Sequence, residues 1–168
     1  CFYLYRQVMG SHSQTGLVAA ASCEEYLQGS IKKHELTRPD KENDRMRHIE
    51  ALDSQTGPVF LTYRASAAVD GFVAKRTSQS PEIDFTAAEG VRHSAWVVGD
   101  REGIGFIEAE FGRIPFLYIA DGHHRSAAAA RVYQALRMPE SCFFLSVIFP
   151  HNQMQILPDN RVLKDLNG

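Results

Sequence analysis

Phe116-Leu117-Tyr118-Ile119-Ala120-Asp121-Gly122-His123-His124-Arg125-Ser126 passes from an uncharged apolar run into Asp-Gly and then sets two histidines and an arginine side by side. An unbroken apolar run after Pro115 is expected as a strand over 116–119, deep inside a sheet. Asp-Gly ends it abruptly. Four successive alanines, Ala127 to Ala130, then favour a helix over 123–136 able to pack closely on that sheet. A strand turning sharply into a helix sets the class as α/β (α+β), a mixed sheet with flanking helices.

The flanking sequence supports the same class. Residues 2–8 and 16–21 read as strands of a hairpin joined across Gly10 to Gly16. Ser22 followed by Glu25 is a capping-box pattern for a short helix ending near Gly29. Pro39 suits the first turn of a longer helix to about Asp53, with Met46, Ile49 and Leu52 as its apolar face and the charges from Asp40 to Arg47 on its solvated side. Residues 58–64 read as a strand, 66–76 as a helix, 83–86 and 91–98 as a strand pair. Asp100 caps a helix over 101–112, and 143–149 is another buried strand.

With 168 residues, 44% hydrophobic and 23% charged, residues 1–168 fit one domain with its own core. Eighteen Lys and Arg against 20 Asp and Glu leave a net charge of −2, so no overall field draws the chain to nucleic acid. No apolar run approaches the roughly 20 residues of a membrane span and no signal peptide opens the chain, so no membrane partner and a cytoplasmic location are expected. Cys1, Cys23 and Cys142 are odd in number and form no C-x-x-C, which argues against a disulfide framework or a structural zinc site and for ordinary core cysteines. The chain opens at Cys1 rather than Met and enters a strand at once, as a piece of a longer protein would.

The first amides of a helix have no intrahelical acceptor and carry the positive end of its dipole, so a helix starting at Gly122 suits an anion. Gly122 lets the backbone approach a ligand, Arg125 can donate two parallel hydrogen bonds to a phosphate, and His123, His124 and Ser126 add donors. The rival reading has Asp121 capping the helix, Gly122 making the turn and both histidines at the surface. His34-Glu35 is not a zinc-protease helix, because H-E-x-x-H would need a histidine where Arg38 stands. Gly103-Ile104-Gly105 lacks the third glycine of a dinucleotide fingerprint, and no Walker A sequence is present. His93 and Trp96 read as strand residues, lining a pocket or packed in the core.

Asp121-Gly122-His123-His124-Arg125, after Tyr118-Ile119-Ala120 and before the alanine-rich helix, resembles the DGHHR signature of an uncharacterised bacterial and archaeal family, the domain of unknown function numbered ten-fifteen. Arg6, Gly16-Leu17-Val18, Glu25-Tyr26, Gly29, Ile31, His34-Glu35, Thr37, Lys41-Glu42, Asp44-Arg45 and Gly57-Pro58-Val59-Phe60-Leu61 extend the likeness. So do Gly90-Val91, His93, Trp96, Leu157-Pro158 and Asn160-Arg161-Val162. Members are about twice as long. The signature is similar to the phosphate loop of the ParB/sulfiredoxin-like superfamily, whose relatives include ParB nucleotidases, sulfiredoxin and free-serine kinases that carry DGHHR itself.

The resemblance implies a nucleotide, ADP or ATP with Mg²⁺, resting on Gly122 to Ser126. Sulfiredoxin has cysteine where this chain has His123, so sulfinic-acid repair lacks its nucleophile. The expected activity is transfer of a phosphoryl group to a hydroxyl, that of free serine, with Glu35 as base and Asp121 and His123 completing the catalytic set. Two alternatives stand beside it: a ParB-like nucleotide switch or adaptor without kinase activity, and a purely structural domain of a larger enzyme. Glu35 has a rival role too, bracing its loop through Arg38 or Arg45.

Overall fold

The computed structural model describes residues 1–157, Asn160 and Val162; Pro158 and Arg161, part of the likeness set out above, lie outside the described residues. In chain order the elements are β1 (Phe2–Met9), β2 (His12–Ser22), α1 (Cys23–Gln28), β3 (Ile31–Lys32), α2 (Pro39–Leu52), β4 (Val59–Tyr63), α3 (Ala67–Thr77) and β5 (Ile83–Thr86). They continue with β6 (Arg92–Val98), α4 (Arg101–Phe111), β7 (Leu117–Asp121), α5 (His123–Leu136) and β8 (Phe143–Pro150). The eight strands form one mixed sheet in the order β3-β7-β4-β8-β2-β1-β6-β5, with β3/β7 and β4/β8 parallel and the other pairs antiparallel.

Side chains alternate across a strand, so residues opposed in register share a face. Trp96 stands opposite Leu4, Leu4 opposite Leu17, Leu17 opposite Ile148, Ile148 opposite Leu61, and Leu61 opposite Ile119. All six are buried. This row crosses six strands and is the spine of the core. The pair α3/α4 packs over it through Val69, Phe72 and Ile107, with Phe72 stacked on Phe106 at 4.9 Å. Tyr26 of α1 meets Phe144 of β8 edge-on at 6.2 Å, and α5 packs beside α1 on the same face, its four alanines almost wholly buried. Small side chains let a helix lie close to strands, the use that the alanine run promised.

Local signals placed several elements correctly. Ser22 accepts from the Glu25 amide to start α1, which closes at Gly29, and Asp100 accepts from the Gly103 amide to start α4. Gly103 is there for close approach: a Cβ would come within 2.8 Å of the Val98 side chain. Both glycines of Gly103-Ile104-Gly105 lie inside α4, away from any phosphate turn.

Four expectations need correction. The β1–β2 turn is the two residues Gly10-Ser11, with Met9 opposite His12, because the polar residues His12 to Thr15 continue the ladder instead of looping. Strand 116–119 does lie inside the sheet, between β3 and β4. β7 is the second strand from the sheet edge; Ile119 is buried, but Tyr118, on the other face, is 46% exposed. That face also shows Tyr3, Val97 and Leu145 at 38–43% exposure, so it is half open along much of the sheet. In α2, Met46 and Ile49 are half-buried while Leu52 is exposed, since α2 leans on α5 and not on the sheet. His93 and Trp96 lie on opposite faces: Trp96 is in the core, donating to the Gln79 carbonyl, and His93 stacks with Tyr5, whose hydroxyl is 2.6 Å from its Nδ1. Of the cysteines, Cys23 is buried but Cys142 is only half-buried. Among the described residues no helix is long and apolar enough to cross a membrane.

Leu61→Ala, at the centre of the row, should cost about 2–5 kcal/mol, the range for a buried leucine cut to alanine. Leu36→Ala, at a side chain 95% exposed, should change the denaturant midpoint negligibly. Chemical unfolding of both variants measures the contrast.

Candidate functional site

β7 ends at Asp121 and α5 begins at His123, so a single residue makes the corner. Gly122 does this at φ 97°, in the left-handed region that costs other residues about 1–2 kcal/mol. A Cβ there would also lie 3.0–3.3 Å from the Arg125 guanidinium. Glycine has a further consequence: unlike Ser22 and Asp100, it has no side chain with which to cap its helix. The amides of His123, His124 and Arg125 find no acceptor among the described residues. The first used amide is that of Ser126, bonded to the Gly122 carbonyl at 3.0 Å. The Ser126 hydroxyl is fully buried and donates to the His123 carbonyl at 3.1 Å, so both its polar groups are spent inside the turn.

Asp121 does not cap the helix; its carboxylate receives Arg125 Nη2 at 2.8 Å. With the two side chains 73% and 38% exposed, that pair is worth under about 1 kcal/mol. The Arg125 Nε is buried without a partner, beneath Gly122. Arg125 and Arg45 line one small hollow of about 20 Å³ with Thr56 and Gly57, too small by itself for a nucleotide. Arg45 and Gly57 escaped the sequence reading as site residues, although both belong to matched stretches.

His123 is 4% exposed, not a surface residue. Its Nδ1 lies 3.3 Å from Glu35 Oε2, its ring meets the His34 ring edge-on at 4.4 Å, and its Nε2 is buried with no partner. Burial first, then the neighbouring His34, pushes its pKa below the ordinary histidine value, while Glu35 and Asp121 pull the other way. The ring is therefore neutral near pH 7, and a carboxylate at Nδ1 favours the proton there, leaving a lone pair on Nε2. His124 Nε2 accepts from the Arg38 amide at 3.2 Å.

Two histidines thus tie the 33–38 loop to the start of α5. Glu42, its pKa lowered by the Thr37 hydroxyl and then by Arg131, adds a third tie from α2, with Arg131 Nη1 at 2.9 Å. Neither arginine expected to brace Glu35 does so: Arg38 pairs with Asp40 and Arg45 with Asp44. The sequence brings Glu35, Asp121, His123, His124 and Arg125 to one end of the sheet. Among the described residues no group of three or more His, Cys, Asp or Glu is arranged to hold a metal ion by itself.

The lowered pKa of His123 has a stability consequence. The unfolded chain binds a proton at about pH 6.5 that the folded chain refuses until lower pH, so stability is full above that value and is lost as pH falls below it. The melting temperature should fall between pH 7.5 and 5.5, and more shallowly in His123→Gln; identical slopes in the two proteins would show that His123 is not the group responsible.

No curated protein and no solved structure matches the chain. A family model does, from residue 1 to residue 168, and on that match the chain belongs to the family described as Protein of unknown function (DUF1015).

Proposed function

We propose that the start of α5 holds the phosphates of a nucleotide and that the protein is a small-molecule kinase, transferring a phosphoryl group to the hydroxyl of free serine. The observation that carries this reading is the uncapped helix start, three free amides behind a glycine, with Arg125 and Glu35 at the same end. Likeness of Asp121 to Arg125 to the DGHHR signature of free-serine kinases, and through it to the ParB/sulfiredoxin-like fold, supports the same chemistry.

In that reading the amides of His123, His124 and Arg125 receive the phosphate oxygens, and Arg125, its Nη2 now on Asp121, turns its guanidinium to them. Mg²⁺ bound with the nucleotide would neutralise charge between the phosphates, and Asp121, exposed beside the helix start, would be its carboxylate ligand. Glu35 Oε2 takes the proton of the serine hydroxyl as that oxygen attacks the terminal phosphorus and the bond to the bridging oxygen breaks, releasing ADP from ATP or AMP from ADP; its carboxylate is 56% exposed and so open to a substrate. His123 orients Glu35 from beneath.

A nucleotide switch without turnover has one observation in its favour: Glu35 rests on the buried His123, a contact that would serve equally to close the 33–38 loop over a bound nucleotide. Serine-dependent release of ADP or AMP separates the two.

Glu35→Gln should leave nucleotide affinity within about twofold while lowering turnover by roughly 10²–10⁴, the loss expected for a general base. Full turnover in that variant removes Glu35 from the role. Arg125→Ala should weaken nucleotide binding by about 1.5–3 kcal/mol, and Arg125→Lys should also lose affinity because an ammonium cannot make the forked pair. Calorimetric titration with ADP is the measurement, and unchanged affinity in both variants removes the phosphate cradle.

A further inference from the structure

We propose that the cleft between the two helical groups on the covered face of the sheet is a second binding site, and that it takes a small organic cation with an apolar body. The cleft has a volume of about 860 Å³ and lies at the start of β7, the opposite end of that strand from Gly122. Sites for small molecules usually span about 300–1,000 Å³ and are mainly apolar with a few placed polar groups.

The cleft exists because of two small residues. Leu17, Ala19 and Ala21 follow one another on the covered face of β2, and where Leu17 fills its place in the buried row, the two alanines leave a hollow that neither α1 nor α4 enters. Ile107 and Phe111 of α4 form one wall and Ile31 part of the other. These surfaces alone would accept any apolar group.

Charge narrows the choice. Glu24 and Glu25 in the first turn of α1 and Glu108 on α4 reach the cleft from its two sides, and no Lys, Arg or His is among the lining residues. None of the three carboxylates is in an ion pair among the described residues. At the mouth, Lys32 Nζ lies over the Phe116 ring at 4.1 Å from the centroid, so that ring face is already taken, and the carboxylates, not the ring, would hold a guest cation. Three unpaired carboxylates repel an anion, so a nucleotide or a carboxylate metabolite is excluded here, while an ammonium would find a charge partner at either rim and its apolar part would cover Ala19 and Ala21.

The test uses the full-length protein and three probes built on one phenylethyl body, 2-phenylethylamine, 2-phenylethanol and 3-phenylpropionate, titrated at low and moderate salt with calorimetry or protein-observed NMR. The amine should bind, more weakly as salt rises; the alcohol should bind at least about fivefold more weakly, and the carboxylate not at all. Ala19→Leu, which fills the floor, should abolish binding of the amine, and Glu108→Gln should weaken it about two- to fivefold and flatten the salt dependence. Arg125→Ala, at the other end of β7, should leave amine binding unchanged. Equal affinity for all three probes, no binding of the amine, or loss of amine binding in Arg125→Ala would overturn the proposal. Should Ala19→Leu fail to fold, Glu108→Gln still decides it: unchanged affinity in that exposed position rejects the charge argument.

Discussion

The row Trp96–Leu4–Leu17–Ile148–Leu61–Ile119 holds the rest of the structure in place. Directly opposed side chains in a sheet approach within about 4.5–5.5 Å, and because the side-chain period is two, a slip of one residue in any of the six strands would carry its member of the row to the half-open face. Register is thereby fixed across strands that are far apart in sequence. One end of the row is Ile119, two residues before Asp121, so the apolar spine determines where β7 leaves the sheet and where α5 starts. The positions of Gly122 and the free amides follow from core packing, not from any contact within the site.

At that corner two demands meet on one residue. Glycine is required for its left-handed backbone and for the closeness of Arg125, and it cannot cap a helix with a side chain. A serine or aspartate would fill one of the orphan amides, worth about 1 kcal/mol to the helix, but would incur the left-handed penalty and collide with the guanidinium. The geometry of the turn therefore keeps the donors open. Beneath them His123 is buried and neutral, so the start of the helix carries the partial charge of its dipole without a full imidazolium added to it.

What the sequence disclosed was whatever depends on neighbours a few residues away. Ser22 with Glu25, Asp100 with Gly103, Pro39 and the Asp121-Gly122 corner all act within one turn, and each marked its element correctly. The apolar run of 116–119 marked a strand inside the sheet, but how far its second face is covered depends on which strands and helices flank it, and β7 has only the two-residue β3 outside it. Leu52 was misplaced for the same kind of reason, because the surface that α2 meets is another helix. The docking of Glu35 onto His123 joins residues 88 positions apart, and Arg38 onto His124 joins residues 86 apart. No spacing rule reaches that far; the shared family signature was the only hint that these segments meet.

A net charge of −2 supplies no overall field toward a polyanion but conceals local contrast. The two ends of β7 are separated by a strand of five residues, about 13 Å at 3.3 Å per residue, which exceeds the Debye length of about 8 Å at physiological salt. Surface fields at the two ends are therefore largely independent. One end presents unfilled amides, Arg125 and Arg45; the other presents Glu24, Glu25 and Glu108 around apolar walls. On the two proposals made above, a phosphate would favour the first end once Arg125 leaves Asp121, and an apolar ammonium would favour the second. Sorting by charge in this way requires no difference in shape between the two ends, only that the sheet keep them more than a screening length apart, and the buried row that fixes strand register is what maintains that separation.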